Sequence, residues 1–196
     1  MNTPAHLLVN LAVLGGGPRR AHAGAIALGA LLPDLPMFAF YLWQKLMLAT
    51  PERTIWGSAY FEPSWQLFFD LFNSIPLAAA GLGVALVLRR TDSALFCASV
   101  IAHTLLDLPF HREDAHRHFL PLSSWQFVSP LSYWDPAHCG AAVAFVETLL
   151  LCGSAALLWR RYENPWVRIC VALLATLSAA VWSLFYGAGW LPELPQ

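Results

Sequence analysis

Charged side chains are scarce in this sequence. Asp, Glu, Lys and Arg make up 12% of the 196 residues, whereas 58% are hydrophobic. Soluble domains carry about 25% charged residues, and a fold of this length exposes too much surface to hide such an apolar excess. The 11 basic and 12 acidic residues nearly cancel, so the sequence indicates no surface for an anionic partner. The composition predicts one integral membrane domain over residues 1–196 and excludes disordered chains and nucleic-acid-binding proteins.

Cysteine pairs and the common catalytic motifs are missing as well. The four cysteines form no CxxC pair, which excludes a disulfide or zinc framework and indicates small buried side chains. The sequence has no HExxH, no GxSxG, no Walker-type loop and no GxGxxG motif. A serine hydrolase would have to use Ser129 or Ser132 without the usual sequence context.

Long apolar runs are what the sequence contains instead. A helix needs about 20 apolar residues to cross a bilayer. Runs near this length cover residues 71–88, 94–110, 141–159 and 169–191, and the N-terminal part adds the runs 6–14 and 21–44. Pro33 and Pro36 must break the run 21–44. We predict an all-α, polytopic membrane helix bundle of about six helices, with the first short and the second broken by proline.

Basic residues are concentrated in the short loops of this predicted bundle. Seven of the 11 lie in tight turns at 19–20, 89–90 and 160–168, and the other four are spread over long loops. Because short basic loops stay in the cytoplasm, this pattern places the termini and the long loops, about 45–65 and 111–138, on the outer face. No basic residue precedes the first apolar run, which argues against a cleaved signal peptide.

Ionisable side chains interrupt the run 94–110 and continue beyond it. Five of them follow one another at spacings of 4, 4, 3 and 4 residues: His103, Asp107, His111, Asp114 and His118. On a continuous helix they would share an arc of about 80°, although Pro109 disfavours continuity. Ionisable groups inside a membrane are costly, and His and Asp four residues apart can give a metal two ligands. We predict a metal or proton-relay role for His103 and Asp107. A snorkelling or capping role at the helix end is predicted for Arg112, Glu113, His116 and Arg117.

More polar residues fall at the predicted outer face. They are His6, Asp34, Asn73, Asp135 and His138. Each alone is a weak signal, because turns and helix caps are often polar, but their joint placement indicates one site. Glu147 lies deeper in the fifth predicted helix, and we interpret it as a structural hydrogen-bonding residue or as one that orients a ligand.

Several segments resemble a bacterial family of small inner-membrane metal-dependent hydrolases, some of them regulated by LexA. They are TPAHLL at 3–8, GALLPD at 29–34 and the HxxxD pair at 103–107. A proteobacterial subgroup is more similar still, on HTLLDLPFH at 103–111 and SPLSYWDPAH at 129–138. Some of its members are labelled cobalamin biosynthesis proteins, but no nucleotide-binding or amidotransferase motif supports that label here. The resemblance runs from residue 3 to about residue 161 and implies a hydrolase of the bacterial inner membrane.

The resemblance has one departure and one distant extension. The subgroup has a second His directly after the position of His138, where this chain has Cys139, and a thiolate can also bind zinc. An N-terminal His, a downstream Asp and a helical HxxxD are also similar to the zinc-dependent phospholipase C and nuclease superfamily, which cleaves phosphodiesters. The further HxxxE pair of that superfamily does not line up with this sequence.

These observations together predict a metal centre at the outer face. The predicted ligands are His6, Asp34, His103, Asp107, His111, His138 and His118. Asp135 or Asp114 is predicted to act as the general base. Zinc is the first choice of metal because the ligands mix His with Asp, whereas manganese or magnesium would need more oxygen ligands. The lipid bilayer is one predicted partner, and the predicted substrate is a phosphoester or a lipid-linked molecule at the boundary between lipid and water.

The sequence is compatible with two other functions. Chains of His and Asp inside membranes also carry protons or metal ions in transporters, where broken helices are common. Against this, the sequence shows no inverted repeat, and its polar residues crowd one face. A membrane protein without catalytic activity, in which the metal is a structural clip, would have the same ligands.

Overall fold

A computed structural model describes residues 1–187 of the chain and contains no strand in that range. Its α-helices are α1 (Thr3–Leu14), α2 (Ala23–Leu31), α3 (Leu35–Leu42), α4 (Glu52–Gly57), α5 (Pro63–Phe72), α6 (Ile75–Val87), α7 (Thr91–Asp107), α8 (Gly140–Arg161) and α9 (Pro165–Trp182). Short 3-10 or π-helical turns join several of them. The prediction of an all-α fold is confirmed.

Four helical segments are long and apolar enough to cross a membrane: Gly17–Met47, Pro63–Val87, Gly140–Arg161 and Pro165–Trp182. The predicted runs 141–159 and 169–191 correspond to α8 and α9, and residues 188–191 of the second run lie outside the described residues. The run 6–14 forms α1, whose 12 residues make a helix of about 18 Å, shorter than a bilayer core. The run 94–110 forms the 17-residue α7, which is not among the four segments.

Two of the long segments are broken where the sequence supplies a breaking residue. A 3-10 turn over Leu32–Asp34 separates α2 from α3, because Pro33 and Pro36 lack the N–H groups that an α-helix needs. The second break separates α5 from α6 at Asn73 and Ser74. The Ser74 hydroxyl accepts a hydrogen bond from the Leu77 N–H at 3.2 Å and so caps α6. Both breaks lie at the same end of the bundle as the end of α7.

One apolar core lies between α1 and α8. Ala5, Leu8 and Ala12 of α1 are buried together with Leu151 and Leu158 of α8, and α9 covers the other side of this cluster. The apolar positions of α1 recur at spacings of three and four residues, so they form one face of the helix. This packing fixes α1 beside the bundle although α1 is too short to cross a membrane alone.

A very close contact joins α2 to α7 at Gly29. A Cβ atom added there would lie 2.3 Å from the Phe96 carbonyl oxygen and 2.8 Å from the Ser99 Cβ atom. Only glycine therefore permits this distance between the two helices. The contact also brings the C-terminal turn of α2 beside the residues of α7 that follow Ser99.

An aromatic cluster covers the end of the bundle that α3, α4 and α5 form. Phe40 of α3 is fully buried and makes edge contacts with Tyr60, Trp65 and Phe69, with ring centroids 5.0–6.0 Å apart. Aromatic pairs at such distances are favourable beyond their burial of apolar area. The cluster holds Tyr60 and Phe69 at the edge of the cavity described below.

Basic side chains meet at the opposite end of the bundle. Nη1 of Arg161, at the end of α8, donates to the Leu11 and Ala12 carbonyl oxygens at 3.1 and 2.9 Å. Nη1 of Arg20 donates to the Arg161 carbonyl oxygen at 2.9 Å. Leu11 and Ala12 lie in the last turn of α1, where carbonyl groups run out of partners, so Arg161 supplies a donor there; the Leu11 carbonyl oxygen also accepts from the Gly15 N–H at 3.0 Å.

Candidate metal centre

Three elements that are distant in sequence meet at one end of the bundle. The last turn of α7 presents His103 and Asp107 four residues apart, α1 presents His6 near its start, and the turn between α2 and α3 presents Asp34. His6, His103 and Asp107 are each at most 3% exposed. The structure therefore brings together the four residues that head the predicted ligand set.

Asp107 is at the centre of this group. Its Oδ1 atom lies 2.9 Å from His6 Nε2 and 3.2 Å from His111 Nε2, and its Oδ2 atom lies 3.0 Å from His103 Nε2. The Met1 amino group donates to Oδ1 at 2.5 Å. A carboxylate has about four lone pairs, and here nitrogen atoms from α1, α7 and the following loop all converge on them.

The ring of His103 is fixed by the contact between α2 and α7. Its Nδ1 atom donates to the Ala30 carbonyl oxygen at 2.7 Å, one residue after Gly29. This bond places the Nε2 atom between Asp107 and Asp34, whose Oδ1 atom is 3.5 Å away. Nε2 is buried and makes no hydrogen bond of good geometry within the described residues.

His6 stacks on His103, with ring centroids 3.6 Å apart and an angle of 15° between the planes. His6, His103 and Asp107 each offer one possible ligand atom to a metal, and these three atoms lie within 4.8 Å of one another. Asp34 is held beside them because Thr3 Oγ1 donates to its Oδ2 atom at 2.5 Å. Thr3 was not predicted as a site residue, since a helix-initiating threonine carries no local signal of such a role.

The five ionisable residues predicted to share one helical face do not lie on one helix, because α7 ends at Asp107, two residues before Pro109. The loop that follows folds back, and this brings two of the remaining residues to the site. His111 Nδ1 lies 3.1 Å from Asp114 Oδ1. Burial disfavours the charged form of His111, but its contacts with Asp107 and Asp114 outweigh burial and raise its pKa to about 9.

His118 is buried but lies outside the group around Asp107. Its Nδ1 atom faces the Asn73 carbonyl oxygen at 3.3 Å, and its own carbonyl oxygen accepts from the Ile75 N–H at 2.9 Å. Burial lowers the pKa of His118 to about 4, so its ring is neutral at pH 7. In this position it fixes the loop to the break between α5 and α6.

Asp70 was not predicted from the sequence, yet it anchors the same loop. This buried residue of α5 accepts from the Arg117 N–H at 3.1 Å and from Arg117 Nε at 2.5 Å. It also faces His116 Nδ1 at 3.2 Å. The one feature of the sequence that could have indicated this role is the occurrence of an Asp among the aromatic residues of α5. Asp70 thereby holds the His116 ring at the edge of the cavity, whereas the sequence predicts only a capping role for His116.

Asp135 and His138 form a separate group with Glu113. His138 Nδ1 lies 2.6 Å from Asp135 Oδ2 and 3.5 Å from Glu113 Oε1. Asp135 Oδ1 accepts from the Ala137 N–H at 2.9 Å, as in a helix cap. The hydrogen bond from His138 lowers the pKa of the partly exposed Asp135 carboxyl. The structure thus does not bring these two predicted site residues to Asp107.

Cys139, where the subgroup has His, is exposed and has a φ of 64°, in the left-handed region. A non-glycine residue pays about 1–2 kcal/mol for this conformation. We expect Cys139→Gly to raise the thermal unfolding temperature in detergent. The control is Cys170→Gly, an exposed position within α9, which should lower it because glycine disfavours helix by about 1 kcal/mol. If the unfolding temperature shifted equally in both variants, the left-handed conformation of Cys139 would not be strained.

A cavity of about 540 Å³ adjoins Asp107. Its polar lining includes Asp34, Asn73, His111, Asp114, His116 and Tyr133. Its apolar lining includes Leu7, Leu31, Met37, Phe38, Tyr60, Phe69 and Leu174. The buried ionisable group therefore has a space beside it in which a small polar group with an apolar extension fits.

Comparison of the chain with protein-family models, with curated proteins and with solved structures finds no match. The resemblance to the inner-membrane hydrolase family therefore stays a prediction.

Proposed function

We propose that this chain is a polytopic membrane hydrolase that uses a divalent metal ion, zinc by preference, bound beside Asp107. The observation that carries the proposal is the position of His103 Nε2. Because Nδ1 donates to the Ala30 carbonyl oxygen, Nε2 of the neutral ring carries a lone pair, yet carboxylate oxygens of Asp107 and Asp34 face it. A lone pair and two carboxylates directed at one point favour a positive charge between them, supplied either by a metal ion or by a proton on Nε2, and elemental analysis of the protein separates the two.

The chemistry of the donor set fits zinc. His6, His103 and Asp107 supply two imidazoles and one carboxylate, the number and kind of ligands that catalytic zinc sites have, with a fourth position left for water or substrate. Asp34, oriented by Thr3, is a further oxygen ligand or a hydrogen-bond acceptor for a ligand histidine. The same set with more oxygen ligands would also hold manganese.

A cation held there would polarise a phosphoryl or acyl oxygen and lower the pKa of a nearby water to about 7. Asp114 lines the adjoining cavity, and its Oδ1 atom makes no hydrogen bond of good geometry with the described residues. We therefore assign Asp114 as the base that takes a proton from the attacking water. Once protonated, it returns that proton to the leaving oxygen of the alcohol. Asp135, the other predicted base, lies outside this cavity.

Location and substrate class follow from the two ends of the bundle. Arg20 and Arg161 lie at the end opposite Asp107, and basic ends stay in the cytoplasm. We therefore place the site at the outer face of a bacterial inner membrane. A cavity that combines ionisable groups with apolar residues such as Met37 and Phe38 favours a phosphoester or lipid-linked substrate.

Elemental analysis of the protein, purified in detergent without chelator, tests the metal. We expect about one or more equivalents of zinc or manganese in the wild type and less than about a tenth of that in His103→Ala. His22→Ala is the matched control, because His22 lies near Arg20 at the opposite end of the bundle, where its Nδ1 atom pairs with Asp92 Oδ1 at 2.8 Å. Absence of metal from folded wild-type protein, or equal metal in His103→Ala, would overturn the proposal.

One observation favours a proton relay as the second candidate. Buried polar side chains lie one helical turn away from the site on α1 and α7: Asn10 Nδ2 donates to the Ser99 hydroxyl at 2.9 Å, and Ser99 donates to the Ile26 carbonyl oxygen at 2.7 Å. If the protein holds no metal, these side chains and the histidines would instead carry protons. Proton uptake by vesicles that contain the protein, abolished in Asp107→Asn, would then support transport.

A further inference from the structure

A second cavity, of about 400 Å³, lies between the outer halves of α8 and α9. It shares Asn2, Pro4 and Tyr133 with the first cavity but has no part of the group around Asp107 in its lining. Its own lining is mostly apolar and aromatic: Trp134, Ala144, Leu151, Leu177, Val181, Trp182 and Tyr186. The one ionisable carboxylate among the described lining residues is Glu147.

Glu147 is only partly satisfied by the protein. Its Oε1 atom accepts two hydrogen bonds, from the backbone N–H and the side-chain Nδ2 of Asn2, both at 2.8 Å. Its Oε2 atom is buried and has no hydrogen-bond partner among the described residues, and the side chain is 6% exposed. Leaving a buried carboxylate oxygen without a donor costs free energy, so a donor or a cation belongs beside it.

The walls of this cavity suit an ammonium group. No described lining residue is a Lys, Arg or His, and the Met1 ammonium, which attracts Glu147, donates its hydrogen bond to Asp107 rather than to Glu147 Oε2. Instead Tyr133, Trp134, Trp182 and Tyr186 surround the space. Aromatic faces attract ammonium groups, and the Glu147 carboxylate beside them adds a charged hydrogen-bond acceptor.

The cavity opens sideways, and this indicates where its ligand comes from. Leu177 and Val181 line it and are also 61% and 53% exposed, on a helix that is long and apolar enough to cross a membrane. In a bilayer that opening would face lipid. Glu147 lies seven residues after the first residue of α8, about 10 Å along the helix, so it lies in the half of α8 nearer to the loop that follows α7.

We propose that the cavity between α8 and α9 binds the ammonium head group of an aminophospholipid, with Glu147 Oε2 as its acceptor and the four aromatic residues around it. The site lies next to the candidate metal centre, because consecutive residues connect them: the Met1 amino group contacts Asp107, and the Asn2 N–H contacts Glu147. This binding goes beyond the proposed hydrolysis and does not require a metal.

Native mass spectrometry of the full-length protein in detergent, with equimolar phosphatidylethanolamine and phosphatidylglycerol added, tests the site. We expect the wild type to retain phosphatidylethanolamine preferentially and Glu147→Gln to lose that preference about tenfold or more. Gln keeps an oxygen for Asn2 while removing the charge. Glu163→Gln is the matched control, because it removes an exposed carboxylate just after α8 and should leave the preference intact.

Two further variants keep the outcome interpretable. Trp134→Leu removes one aromatic wall without touching the Glu147–Asn2 bonds and should weaken the preference about threefold to tenfold. His103→Ala should keep the preference, which separates a failure of this site from a failure of the metal centre. Free ethanolamine at millimolar concentration should compete weakly with the lipid. If free ethanolamine binds as tightly as the lipid, the ligand is a soluble amine and not a lipid. The proposal would also be overturned if the wild type did not prefer phosphatidylethanolamine, or if Glu147→Gln kept that preference unchanged.

Discussion

Replacing Asp107 by Asn should remove the bound metal and reduce hydrolysis of a chromogenic phosphodiester about a hundredfold or more. Asp107 contacts His6, His103 and His111 at 2.9–3.2 Å, so no other carboxylate in the group can take over its position. Removing residues that merely orient metal ligands costs 10–100-fold in affinity or activity, and loss of a ligand should cost at least the upper end. Zinc content and the rate with added zinc are the two measurements.

Asp135→Asn is the matched control for this prediction. It makes the same chemical change in the separate group of Asp135, His138 and Glu113, outside the cavity. We expect its metal content and rate to stay within about twofold of the wild type. Both variants should elute as a single species in detergent. If Asp135→Asn lost activity while Asp107→Asn stayed active, the active site would have to be assigned to the loop before α8 and not to Asp107.

The second large effect is expected for Gly29→Ala. The added Cβ would lie 2.3 Å from the Phe96 carbonyl oxygen, so α2 and α7 must separate. Overpacking of this kind costs about 1–3 kcal/mol, which corresponds to a fall of about 2–12 °C in unfolding temperature for a domain of this size. The separation would also lengthen the bond from His103 Nδ1 to the Ala30 carbonyl oxygen, so metal content should fall too.

Gly24→Ala provides the comparison within the same helix. Nothing lies within 4 Å of a Cβ added at Gly24, so this change should be neutral or slightly stabilising in helix α2. Thermal unfolding in detergent and elemental analysis measure both variants. If the two glycine variants unfold at the same temperature and hold the same metal, the close contact is not what fixes His103.

Local sequence rules were enough to find the centre of the site. His103 and Asp107 are one helical turn apart, so their side chains must point the same way whatever the rest of the fold does. Pro33 and Pro36 were enough to predict the break that positions Asp34, because the missing N–H groups act locally. Those predictions needed no knowledge of tertiary contacts.

The remaining features depend on contacts between distant residues. The path of the loop after Asp107 decides that His111 returns to the site while Asp135 does not, and no local periodicity encodes that path. Asp70 contacts Arg117, which lies 47 residues later in the chain. Asn2 contacts Glu147, which lies 145 residues later. A single sequence shows that such polar residues interrupt apolar helices, but it does not show which of them meet.

The distribution of the candidate ligands along the chain has a consequence for biogenesis. His6 is synthesised about a hundred residues before Asp107, and α1 is shorter than the hydrocarbon core of a bilayer. Because α1 packs against α8, we expect α1 to reach its final position only after α7 and α8 have been synthesised. Uptake of metal would then mark the completion of membrane assembly, because a chain truncated before α7 lacks half of the ligands.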